Sequence, residues 1–77
     1  MNKKEQFRKD LGTALKNIRI QRNQTLYSIA KQGDIDWKQA QTIENGSNNY
    51  TIDILSGYIA GAGLSMNFDI IPKIDGI

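Results

Sequence analysis

The chain has 77 residues, with ten Lys and Arg against eight Asp and Glu, no Cys, no His, one Pro and one Trp; that is one small domain. Lacking His and Cys, it has no zinc-ligand set, no thiolate and no imidazole base, which excludes zinc sites, disulfide staples and hydrolytic triads. A domain this short buries only roughly 60% of the surface its unfolded chain exposes, so association with a second copy is expected from the outset.

Asn2 followed by Glu5 makes a capping box, and apolar residues then recur at Phe7, Leu11, Ala14, Leu15 and Ile18, the spacing of a long amphipathic first helix. It should fray near residues 22–24, where the period fails. Thr25 is an N-cap for a short second helix to about Gln32, with Leu26, Ile29 and Ala30 as its buried face. Gly33-Asp34 then supplies turn chemistry, and Ile35 is a single apolar plug. Asp36-Trp37-Lys38-Gln39 repeats the capping-box pattern, so a third helix starts at about Trp37 and runs to Glu44 or Asn45. Gly46 suits a left-handed cap before the polar loop Ser47-Asn48-Asn49.

Thr51 caps a fourth helix with apolar residues at Ile52, Leu55, Tyr58, Ile59 and Ala62, ended by Gly63. Gly57 and Gly61 are expected to weaken it by about 1 kcal/mol each relative to Ala. From Ser65 the period changes to two: Met66, Phe68 and Ile70 alternate with Asn67 and Asp69 until Pro72, the pattern of a β-strand with nothing in the chain to pair with. Its ladder groups call for a partner's edge, most simply the same strand of a second copy in a two-fold antiparallel ribbon; the alternative is an unstructured tail, which residues 74–77 are expected to be.

Charge is uneven along the chain. Residues 1–38 carry nine basic and four acidic side chains, and residues 39–77 carry one basic and four acidic. A positive first half suits a polyanion, and equally an ordinary solvated helix. No run approaches the roughly 18 to 20 unbroken apolar residues of a membrane span, and no apolar stretch follows the basic start. The expectation is a cytoplasmic protein with no membrane partner.

Two short helices joined by a tight turn on a basic chain suggest a helix-turn-helix. Residues 15–64 resemble the Cro/C1-type (XRE-like) repressor family through Arg19, Thr25 followed by Ile29-Ala30, Ile35 in the turn, and Ile43-Glu44-Asn45-Gly46 closing the third helix. Thr51, Leu55, Ala60 and Gly63-Leu64 sit where that family has its fourth helix. The resemblance implies a mainly α, lambda-repressor-like domain of four or five helices over residues 1–64, with residues 65–77 as dimerisation strand and tail. One departure stands out: the family's turn Gly falls at Asp34, so the turn is either displaced to Gly33 or carries Asp34 left-handed.

The same resemblance assigns roles. Arg19 and Glu44 match a largely buried ion pair, and losing either partner of such a pair costs about 3 to 5 kcal/mol. Base edges would be met from the third helix by Trp37, Lys38, Gln39, Gln41 and Thr42, with Ala40 and Ile43 turned inward. Lys38 can donate to guanine, Gln39 and Gln41 can pair with adenine, and Thr42 offers a hydroxyl and a methyl. Trp37 departs from the small or polar residue usual there; it packs on a sugar or thymine methyl, or it covers the turn. Phosphates would be held near Thr25, Asn45, Gly46 and Ser47, with Arg22, Lys31 and Lys38 as the nearest basic groups. A phosphate-binding Gln of the family is replaced by Leu26, so that contact is lost unless Gln24 or Tyr27 replaces it.

Residues 63–68 resemble the HipB-type antitoxins, in which a strand after this helix pairs across the dimer axis; Met66, Phe68 and Ile70 would form that interface. The implied function is a sequence-specific, double-stranded-DNA-binding transcriptional regulator, a homodimer repressing at a palindromic operator. The alternative is an antitoxin or interaction module that neutralises a partner protein such as a toxin. No cofactor or metal is expected, and an enzyme is the remotest reading because no acid pair accompanies the missing His and Cys.

Overall fold

The computed structural model describes residues 2–73. Four helices follow one another: α1 (Lys3–Gln21), α2 (Leu26–Gly33), α3 (Trp37–Asn45) and α4 (Ile52–Gly61). Each begins where a short polar side chain satisfies free backbone N–H groups. Asn2 Oδ1 accepts from the Glu5 N–H at 2.8 Å, Thr25 Oγ1 from Ser28 at 3.0 Å and Thr51 Oγ1 from Ile54 at 3.2 Å. At α3 both halves of a capping box form around Asp36 and Gln39.

The turns use left-handed residues. Asn23 joins α1 to α2 at φ 55°, and Asp34 ends α2 at φ 56°, ψ 44°. Of the two expected turn geometries the left-handed Asp34 is the one adopted, and Gly33 remains helical. Gly33 has a different use. A Cβ there would overlap the Gly57 carbonyl, and a Cβ on Gly61 would overlap the Ile29 carbonyl. The three glycines therefore let the backbones of α2 and α4 approach too closely for any side chain, and the contact offsets the propensity cost expected at Gly57 and Gly61.

Helix α2 packs on α4 and on α3, and α1 packs on α3. The core between them is Leu15, Ile29, Ala30, Ala40, Ile43, Tyr58, Ile59 and Ala62, with Leu11, Leu26, Ile35 and Leu55 packed partly against it. The expected face of α1 is only partly used: Leu15 is buried, Leu11 and Ile18 are half-buried, and Ala14 and Phe7 are exposed. Ile52, one of the apolar residues spaced along α4, is 76% exposed. Apolar spacing marks which side of a helix is oily, and among the described residues these positions have no neighbour that covers them.

After α4 the Gly63 and Leu64 N–H groups bond back to the carbonyls of Ala60 and Ile59, closing the helix end with Gly63 at φ 72°. Residues 64–73 carry no helix or strand, although Leu64 and Met66 pack against the core. The expectation for residues 74–77 lies outside the described residues.

Candidate nucleic-acid interface

Helix α3 has sharply different sides. Ala40, Ile43 and Glu44 are buried, while Lys38 and Gln41 are exposed and Trp37 is 45% exposed. Gln39 and Thr42 are half-buried and, with Lys38, border an open cleft of about 320 Å³ whose other wall is Asn49, Tyr50, Thr51 and Ile54. Asn49 is exposed beside the expected base-reading residues, a placement that linear spacing does not show because a loop carries it there.

Hydrogen bonding sorts the expected readers further. Gln39 Oε1 accepts the Asp36 N–H at 2.9 Å, and Thr42 Oγ1 donates to the Lys38 carbonyl at 2.9 Å. Bidentate reading of adenine needs an amide oxygen and an amide nitrogen together. Gln39 thus has its amide oxygen engaged in the cap, whereas Gln41 is exposed. Lys38 has its backbone N–H in the cap, accepted by Asp36 at 3.0 Å, and its side chain exposed.

The inner side of α3 is locked by three side chains. Arg19 Nε donates to Glu44 Oε2 at 2.7 Å and Nη2 donates to Oε1 at 3.2 Å, a bidentate pair, while Nη1 donates to the Gln24 carbonyl at 3.1 Å. Tyr58 Oη donates to Glu44 Oε2 at 2.5 Å. Glu44 is only 7% exposed, and its neighbours divide the charge: the Glu44 hydrogen bond raises the Arg19 guanidinium above its ordinary pKa, partly opposed by burial. Burial, then the Glu44 hydrogen bond and charge, hold the Tyr58 hydroxyl far above the ordinary tyrosine value. The network ties α1 and α4 to one carboxylate near the end of α3, so the position of α3 is set from both sides.

The expected phosphate-binding residues fall into two groups. Tyr27 and Lys31 are exposed on α2, and Asn45 and Ser47 are exposed around the buried Gly46. Thr25 is exposed as well, with its Oγ1 in the α2 cap. Arg22 is placed differently, since its Nη2 donates at 3.3 Å to the Ala62 carbonyl, where Gln24 Nε2 also donates at 3.0 Å. Both side chains satisfy the end of α4, whereas Tyr27 is exposed on α2.

Arg8 is a residue that sequence reasoning missed. Its Nε donates to the Gly46 carbonyl at 3.4 Å, and its charge opposes the burial that raises the Tyr50 hydroxyl. Gly46 sits at φ 65° with the backbone of Arg8 and Lys9 where a Cβ would lie, so α1 brings two basic residues against the loop that follows α3. Met66 is half-buried, and Phe68 and Ile70 are 71% and 90% exposed. Among the described residues no helix is long and apolar enough to cross a membrane. Compared with protein-family models, curated proteins and solved structures, the chain matches none.

Proposed function

We propose that the protein is a sequence-specific double-stranded-DNA-binding regulator, with α2, the turn at residues 34–36 and α3 as a helix-turn-helix and α3 as its reading helix. The observation that carries this is the division of α3: Ala40, Ile43 and Glu44 are held inside by the Arg19 and Tyr58 contacts, while Lys38, Gln41 and Trp37 are presented outward beside Asn49. A short, capped, rigidly mounted helix with an exposed Lys and Gln is suited to the major groove, where those side chains distinguish guanine and adenine. The exposed Asn45, Ser47, Lys31 and Tyr27 flank it as backbone-positioning groups. In this reading residues 65–71 join two copies, and half-sites about 34 Å apart lie on one face of the duplex.

Selection from a random double-stranded DNA pool, with competitor present and at two salt concentrations, tests the proposal. A palindromic consensus with half-sites one helical turn apart is the expected result. Lys38→Ala should then lose discrimination by about 1 to 3 kcal/mol at the base it reads. Weak, salt-sensitive binding without a consensus would reject sequence-specific regulation and favour a protein partner.

A further inference from the structure

Asn45 is the one asparagine in the chain followed by glycine. That pairing sets up a reaction within the backbone, because with no Cβ in the way the Gly46 nitrogen can attack the Asn45 side-chain amide. In the folded chain this nitrogen is occupied. Asn45 is the last residue of α3, and the Gly46 N–H donates to the Thr42 carbonyl at 2.9 Å. Gly46 is buried at φ 65°, with the backbone of Arg8 and Lys9 where a Cβ would lie, and its carbonyl accepts from Arg8 Nε at 3.4 Å. Asn45, by contrast, is exposed.

We propose that Asn45 is a deamidation site that the native fold keeps closed and unfolding opens, with a product that cannot regain the fold. The reaction needs only water. The Gly46 nitrogen gives its proton to a base and bonds to the Asn45 side-chain carbonyl carbon, and the bond from that carbon to the amide nitrogen breaks. The amide nitrogen leaves as ammonia, taking that proton, and a five-membered succinimide remains. Water then opens the ring at either carbonyl, giving aspartate or, with the backbone rerouted through the side chain, isoaspartate. Both requirements of the first step fail in the native chain. The helical turn points the Gly46 N–H along α3 toward Thr42 while the Asn45 side chain stands out to the side, and packing of Gly46 on α1 blocks the rotation that would bring nitrogen and amide together.

Either product is wrong for this place. Isoaspartate adds a carbon to the backbone between Glu44 and Gly46, and both neighbours are held: Glu44 by Arg19 and Tyr58, Gly46 by Thr42 and α1. No slack remains to take up the added length. Aspartate puts a carboxylate at the C-terminal end of α3, where the helix dipole disfavours it. On the DNA-binding reading given above, on which this last step rests, that carboxylate also stands among the groups that meet phosphate. A chain that stays open long enough to react is removed from the binding population.

The readout is the mass gained when an amide becomes an acid, placed on the full chain by fragmentation. Incubation at mildly alkaline pH is compared with the same incubation in urea. In urea Asn45 should convert ahead of Asn48 and Asn49, whose following residues carry side chains. In the folded chain its rate should fall at least about tenfold, and by the factor that slows Gly46 amide hydrogen exchange, since both need that N–H released. Diluted from urea, the isoaspartyl chain should not recover the parent's helical circular dichroism, while Asn45→Asp should fold and bind DNA more weakly than the parent. Conversion no faster at Asn45 than at Asn48 in urea overturns the site, and equal rates in folded and unfolded chains overturn its closure. An isoaspartyl chain that refolds with parental stability overturns the one-way step, and Asn45→Asp binding as tightly as the parent overturns the cost assigned to aspartate. The rates and the refolding involve no DNA, so failure of the regulatory reading shows separately, as absence of an operator for the unreacted parent.

Discussion

Two faces of α4 contrast. The face bearing Gly57, Tyr58 and Gly61 is covered within the chain: two glycines lie against the backbone of α2, and Tyr58 is fully buried with its hydroxyl on Glu44. The face bearing Ile52, Ser56 and Ala60 borders an open apolar groove that Phe7, Leu11 and Met66 also line. The first fixes where α3 stands, by geometry that tolerates no added atom, and the second leaves oily surface uncovered. Positioning of the proposed reading helix is thus completed within the chain, whereas the apolar surface stays open among the described residues.

Breaking the covered side should have the largest effect. Glu44→Ala strands the Arg19 guanidinium, whose side chain is 17% exposed, and should cost about 3 to 5 kcal/mol in urea denaturation. A loss typical of an exposed pair, below about 1 kcal/mol, would show the carboxylate to be solvated rather than locked.

Tyr58→Phe is milder because Arg19 still occupies both Glu44 oxygens; losing one hydrogen bond to a charged group costs about 1.5 to 3 kcal/mol. It also carries a pH signature. The folded state raises the Tyr58 pKa above the ordinary 10.0, so its contribution is complete below pH 10.0 and is lost as pH rises toward the folded value. Unfolding free energy measured from pH 8 upward should fall above about pH 10, by no more than about 1.4 kcal/mol per unit for this group. In Tyr58→Phe the fall should shrink to what the weaker rise at Tyr50 supplies. An unchanged slope would place the alkaline sensitivity elsewhere.

The helices and their caps were legible in the sequence because their causes are local: Thr25, Asp36 and Thr51 cap helices a few residues away. Pairing of Arg19 with Glu44 came only from a family resemblance, since nothing in the spacing joins residues in different helices. The Tyr58 hydroxyl was invisible for the same reason; its period marked an apolar face, and its acceptor lies in another helix. The sequence singles out Arg22 as a basic group near phosphate; that its Nη2 also donates to the Ala62 carbonyl depends on where the ends of α1 and α4 lie, which spacing does not show. Phe7 and Ile52 keep the apolar period yet are exposed, because period shows where apolar residues gather and not what covers them.

Gly61→Ala against Ser56→Ala sharpens the contrast within one helix. Propensity alone favours Ala at both sites, by up to about 1 kcal/mol at Gly61 and less at Ser56. At Gly61 the new Cβ would overlap the Ile29 carbonyl and lie 2.7 Å from the Gly33 nitrogen, so backbone must shift and a net loss of about 1 to 3 kcal/mol is expected. Ser56→Ala meets no such contact and should be neutral or slightly stabilising. If both substitutions stabilise, the close approach of α2 and α4 is not a constraint.

The smallest effect on the single chain should come from the most hydrophobic-looking change. Phe7→Ser removes an aromatic ring from α1, yet Phe7 is 69% exposed, so unfolding at concentrations that keep the chain monomeric should change by no more than about 0.5 kcal/mol. If a second copy covers the groove, the parent's melting temperature rises with protein concentration by mass action, and Phe7→Ser flattens that rise. A loss of about 3 kcal/mol or more, of the size seen for a deleted core Phe, at every concentration would place Phe7 in the core of the single chain. The two faces of α4 would then no longer differ in what covers them.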